Sequence, residues 1–182
     1  LVSSQQIEEI AFGLEDSGFP FLWVTRPNMM YGQSPNFSIH FLERVKERAY
    51  FVDWAPQLDV LAHTSVGGFL THCGWNSTLE SISLGIPIIP YPVLMDQVTN
   101  AKFVVDIWKI GIRIKSQIDM LKKNKLEIND MKYALKVLFH EEEGRQIRKR
   151  AENLRDAARK AIQVGGTSHD DIEKFIQVVR ST

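Results

Sequence analysis

The stretch Trp54–Gln97 reads WAPQLDVLAHTSVGGFLTHCGWNSTLESISLGIPIIPYPVLMDQ. It alternates short apolar runs with segments of helical periodicity. Val66 to Leu70 and Ile86 to Pro90 read as buried strands, while Pro56 to Ala62 and Asn76 to Leu84 read as helices. Outward from this stretch the alternation continues. A helix is expected over Gln97 to Trp108, and upstream strands over Phe19 to Thr25 and Ala49 to Asp53, with a short amphipathic helix over Phe37 to Lys46 between them. Residues 26–36 hold Pro27, Gly32 and Pro35 and read as a loop. Ser3 and Gln6 fit a capping box ahead of Ile7, Ile10, Ala11 and Leu14, and Gly18 stands where a C-terminal cap belongs. Strands apolar on both faces, alternating with helices, predict an α/β fold with a parallel sheet covered on both sides. A domain of this kind that opens on a helix, without a preceding strand, reads as a piece of a longer protein.

Composition narrows the function classes. The chain has 182 residues, with 22 Lys+Arg against 22 Asp+Glu and hence no formal net charge. Such balance argues against a primary role on nucleic acid or an anionic membrane. The most apolar stretch, Leu84 to Met95, is interrupted by Pro87, Pro90 and Pro92 and is too short to span a bilayer. The lone Cys73 excludes a disulfide framework and favours a reducing, cytoplasmic setting. The charged segment Glu141 to Lys160 interleaves both signs around Ile147, Leu154 and Ala158 and reads as a solvated helix face.

The residues that carry chemistry cluster at strand ends. Val66 to Leu70 runs into Thr71, His72, Cys73, Gly74, Trp75, Asn76 and Ser77, where a helix starts. A strand–turn–helix junction aims backbone N–H groups and the positive helix end outward from the sheet, which suits a phosphate. Gly74 would let the backbone approach a ligand closely. Asn76 and Ser77 have the chemistry either to cap the helix or to donate to phosphate oxygens. Glu80 falls on the same helical face as both, where a carboxylate accepts two hydrogen bonds from a ribose diol; a plain surface Glu is the alternative. His72 is a donor or positive charge at the phosphate edge, and no carboxylate cluster suits a divalent metal. Cys73 reads as a small buried side chain rather than a reactive thiol. Trp54, at the end of a strand, is placed either to stack on a base or to pack in the core. Asp96 and Gln97 offer acceptors and donors to several hydroxyls, with helix capping as the alternative for Asp96. Neither G-x-G-x-x-G nor G-x-x-x-x-G-K-[ST] occurs, which disfavours dinucleotide and P-loop enzymes.

Trp54–Gln97 resembles the signature box of plant secondary-product glycosyltransferases, the UDP-sugar-dependent family 1 enzymes. The W-x-P-Q opening, the HCGWNS centre and the D-Q ending all match, as do the flanks FPFLWVTRP, NAKFV and GGTSHDDIEKFI. The resemblance implies the C-terminal, Rossmann-like domain of a GT-B glycosyltransferase, over residues 1–164, followed by a crossing helix over 165–182. It implies that the first strand of that domain precedes Leu1. It further implies that Trp54 stacks on uracil and the Ala55 backbone bonds the base. Gln57 and Glu80 would hold the ribose, and His72, Asn76 and Ser77 the diphosphate. Trp75, Asp96 and Gln97 would contact the hexose, and a terminal Gln there goes with glucose. The implied co-substrate is therefore UDP-glucose, with no resident cofactor or metal. The acceptor, a small hydroxylated molecule, and the catalytic histidine would belong to an N-terminal domain, leaving no catalytic residue among these 182. Ser168 and Asp171 have capping-box spacing, and Ile172, Phe175, Ile176 and Val179 form an apolar stripe that is expected to be partly exposed.

Overall fold

A computed structural model describes residues 2–25, 37–114 and 127–181. The expected loop at 26–36 lies outside the described residues. The order is α1 (Ser4–Ser17), β1 (Phe21–Val24), α2 (Ile39–Val45), β2 (Ala49–Val52), α3 (Gln57–Ala62), β3 (Phe69–Thr71), α4 (Trp75–Leu84), β4 (Ile88–Pro90), α5 (Asp96–Lys102), α6 (Ile128–His140), α7 (Glu142–Ile162) and α8 (Thr167–Arg180).

The strands are parallel, in two pairs. β1 runs beside β2 with Phe21 opposite Ala49, and β3 beside β4 with Phe69 opposite Ile88. One continuous ladder is thus not formed by the described strands. An extended segment that the sequence reading passed over lies along β4: Ile88 N–H donates to Ile110 and Ile112 N–H donates to Ile88, both at 3.0 Å. Ile110, Ile112 and Ile114 are all buried.

Both faces of β4 are covered, as continuous apolar strands require. Ile89 packs with Ile10 of α1 and with Met131, Ala134 and Leu138 of α6. Its neighbour Ile88 packs on the opposite face with Ile82, Ala101, Val104 and Ala151 of the α4, α5 and α7 side. A period of two in the strand therefore feeds two separate cores. β1 and β2 bring Phe21, Trp23 and Phe51 against Phe41 and Val45 of α2. In α7, Ile147 and Ala151 are buried and Leu154 and Ala158 are partly buried, most charged residues are exposed, and the half-buried Arg148 donates to the Leu138 carbonyl at 3.2 Å.

Helix ends follow local chemistry with two departures from expectation. Ser3 caps α1, its Oγ accepting from Gln6 N–H at 3.3 Å, and Gly18 closes the helix at φ 75°. At α8, however, Ser168 lies inside the helix and Gly166 is the cap. A Cβ on Gly166 would stand 2.3 Å from the Lys160 carbonyl, so close chain approach, not a hydroxyl, sets this start. The helix expected over Gln97 to Trp108 is α only to Lys102. Phe103–Ile107 widen into a π-turn, and Trp108 N–H reaches the Phe103 carbonyl at 2.8 Å.

Candidate functional site

Three connections emerge from the C-terminal ends of parallel strands, where open α/β sheets bind their ligands. Trp54 follows β2, the His72–Ser77 turn follows β3, and Asp96–Gln97 follow β4.

Trp54 is 69% exposed. Core packing is thereby excluded, and a large apolar face is open to whatever lies beside it. Ala55 is half-buried behind it, and Gln57 opens α3. From there Gln57 Nε2 donates to Ser77 Oγ at 3.1 Å and to Glu80 Oε2 at 2.6 Å. These three side chains come from two helices, and all are half-buried. Glu80 is thus not an idle surface carboxylate. Its Oε2 is oriented by Gln57, which leaves Oε1 as an acceptor for a hydroxyl.

The turn after β3 is tightly made. Cys73 has φ 60°, a conformation that non-glycine residues rarely adopt. Its N–H donates to Thr71 Oγ1 at 3.4 Å. Burial pushes the Cys73 thiol from its ordinary 9.0 up to about 12, opposed by a backbone contact from Tyr91. A protonated, fully buried thiol is not a nucleophile at neutral pH. Gly74 is the N-cap of α4, with no side chain bonding to the first turn. Asn76 and Ser77 therefore do not cap the helix; they stand in its first turn, Asn76 exposed. The room at Gly74 serves a neighbour as well as a ligand, because a Cβ there would lie 2.5 Å from His72 Nε2. The exposed His72 ring and the helix N-terminus are thereby held against each other. Trp75, half-exposed at 50%, begins α4.

Beyond β4, Asp96 is the first helical residue of α5 and not its cap; Met95 holds that place at φ 58°. Gln97 Oε1 accepts from the N–H groups of Val93 and Leu94 at 2.9 and 3.1 Å. With its oxygen so engaged, Gln97 presents its amide NH₂ as a donor. Sequence reasoning missed Asn100. It is 8% exposed, and its Nδ2 bonds both the Cys73 carbonyl, at 3.0 Å, and Asp96 Oδ2, at 2.9 Å. The sequence signals for it are its place at the head of the NAKFV flank and one turn after Asp96, neither of which gave it a role.

The arrangement is that of an α/β domain whose parallel strand ends carry an exposed indole, an oriented carboxylate, a helix N-terminus with an adjoining histidine, and a donor–acceptor pair, the place where such domains take their ligands. A profile of the family described as UDP-glucoronosyl and UDP-glucosyl transferase matches residues 2–145, and the chain belongs to that family. Its fold is that of the Rossmann-like domain of plant GT-B glycosyltransferases. UDP-glycosyltransferase 74E2 of Arabidopsis thaliana is 41% identical over 178 residues, covering 98% of this chain and 38% of that protein. Flavonol 3-O-glucosyltransferase UGT76E12 of the same plant is 40% identical over 183 residues, covering 100% and 38%. Among solved structures, Os79 from O. sativa in complex with UDP and deoxynivalenol-3-glucoside superposes with a TM-score of 0.85 at 35% identity, covering 96% of this chain and 39% of that one. The chain thus spans under two-fifths of the length of these curated relatives.

Proposed function

We propose that this chain binds the donor of a glycosyl transfer, a UDP-hexose, for delivery to a hydroxyl of a small molecule. The observation that carries the reading is the bonded group Gln57–Ser77–Glu80 beside the open face of Trp54. In this reading Trp54 stacks on uracil and the Ala55 backbone bonds its edge. Gln57 and Glu80 take the ribose diol. His72, Asn76, Ser77 and the α4 N-terminus take the diphosphate. Trp75, Asp96 and Gln97 face the hexose, and the glucose preference rests on the resemblance, in which a Gln ending the box goes with UDP-glucose.

The reaction is direct displacement with inversion. The acceptor oxygen forms a bond to the anomeric carbon as the bond from that carbon to the phosphate oxygen breaks. The charge developing on UDP is met by His72 and the helix end. The acceptor's proton passes to a base that we assign to the portion of the relatives this chain does not span. Residues 1–164 are the donor domain in this account, and 165–182 a helix that reaches toward the acceptor half. Cytoplasmic residence fits the single thiol, and no described helix is long and apolar enough to cross a membrane. General acid–base chemistry supplies roughly 10²–10⁴-fold and acceptor positioning supplies more. The 182 residues alone are therefore a nucleotide-sugar-binding module without measurable transfer.

Calorimetry tests the reading. UDP should bind with a Kd of roughly 10 µM to 1 mM, because one wall of the cleft is open. Glu80→Ala should cost about 1–3 kcal/mol of that affinity. Undiminished binding by the variant would remove the ribose assignment. In a two-domain enzyme carrying this half, kcat/KM should favour UDP-glucose over UDP-galactose; the opposite preference would remove the role of Gln97.

A further inference from the structure

Two of the three described non-glycine residues with positive φ, Cys73 at 60° and Met95 at 58°, flank the proposed donor site on different connections. Strained backbone of this kind persists only where its surroundings over-determine it. Each connection must therefore be held by something. Gln97 secures the turn before Met95 through the N–H groups of Val93 and Leu94. The tie between the two connections is Asn100. Its Nδ2 donates to the carbonyl of Cys73 itself and to the carboxylate of Asp96, the residue directly after Met95. Both partners are pure acceptors, so the amide orientation is fixed by chemistry: only the NH₂ end of Asn100 satisfies them. The side chain is buried, on the first helix after β4, where packing of Ala101 and Val104 locks the helix to the core. Among neutral side chains only Gln carries the same planar NH₂ donor, one methylene longer.

We infer that Asn100 is a positioning residue that couples the two halves of the donor site. Through Cys73 it sets the turn that presents the α4 N-terminus to the diphosphate. Through Asp96 it fixes one carboxylate oxygen and leaves Oδ1 free to accept from the hexose. Phosphate turn and sugar carboxylate are thus registered on a single amide. The inference rests on the donor-binding reading above and adds a residue that touches neither nucleotide nor sugar.

The test titrates UDP and UDP-glucose separately into the wild-type chain, Asn100→Ala and Asn100→Asp, with circular dichroism on each. Asn100→Asp keeps the volume of the side chain and removes the donor. One lost hydrogen bond should weaken UDP about fivefold through the Cys73 arm, and two should weaken UDP-glucose about twentyfold. The ratio of the two affinities should therefore change about fourfold in folded variants, which a purely structural residue would not do. Unchanged affinities, or equal loss for both ligands, would overturn the coupling. Loss of fold in both variants, with a wild type that binds, would show a structural residue only and equally overturn it. A wild type that binds neither ligand would instead defeat the donor-binding reading itself.

Discussion

Trp54 and Phe175 are almost equally exposed, at 69% and 68%, yet their surroundings differ in kind. On the proposed donor side, to which Trp54 belongs, the polar side chains are already hydrogen-bonded into place: Gln57 to Ser77 and Glu80, Gln97 to its own turn, Asn100 to two connections. Around Phe175 the neighbours on α8 are Ile172, Val178 and Val179, all more than half exposed, and none of the described residues of α8 is buried. An exposed aromatic beside pre-oriented donors and acceptors suits a small ligand with an apolar face and polar edges. An exposed apolar stripe without them is an adhesive surface.

Four experiments sharpen or break that contrast. The largest effect is expected at alkaline pH. Burial raises the Cys73 thiol and the Tyr91 hydroxyl to about 12 each, from 9.0 and 10.0. The folded state holds these protons more tightly than the unfolded one. Their contribution to stability is therefore complete below pH 9 and is lost between about 9 and 12. Tm should fall across that window and Cys73→Ala should reduce the slope; an unaltered slope would show that the strand-end turn opens before the thiol titrates.

Next in size is Trp54→Ala, which should cost about 1–3 kcal/mol of UDP affinity, whereas Phe175→Ala should cost none. Equal effects would erase the distinction between the two exposed aromatics. Smaller again is Gly74→Ala. The added Cβ meets the His72 ring, a side-chain end that is able to move, so stability should change little. Displacing that ring should weaken UDP about tenfold, the worth of one charge-assisted hydrogen bond, as read by calorimetry. The smallest effect on the fold is expected from Phe175→Ser, within about 0.5 kcal/mol of wild type by denaturant titration. Light scattering should nonetheless show less self-association than in the wild-type chain at high concentration. A monodisperse wild type would show that the stripe is not adhesive.

The strand–turn–helix order was legible because each signal is local. Ser3, Gly18, the apolar runs before His72 and after Leu84, and the helical face joining Ser77 to Glu80 all act within a few residues. What stayed hidden depends on partners far apart in the chain. Ile110 to Ile114 alternate like a strand, but they are held beside the sheet only by a parallel bridge to Ile88, and the π-turn ahead of them disguised where the helix stops. Asn100 opens the NAKFV flank, but that match assigns it no role, since its partner lies 27 residues away at the Cys73 carbonyl. Ser168 and Asp171 had capping spacing, yet the glycine that fits against Lys160 won. Similarly, spacing suggested Asn76 and Ser77 as possible caps, but Gly74 holds that place and Ser77 Oγ accepts from Gln57 of the neighbouring helix.

The most direct test of the central claim is amide hydrogen exchange of this chain with and without UDP. Exchange should slow across His72 to Glu80, where the turn and the first turns of α4 meet the nucleotide, and at Trp54–Gln57. Along Ile172–Val179 it should not change. Unchanged exchange over His72 to Glu80 at saturating UDP, or protection confined to α8, would contradict the account.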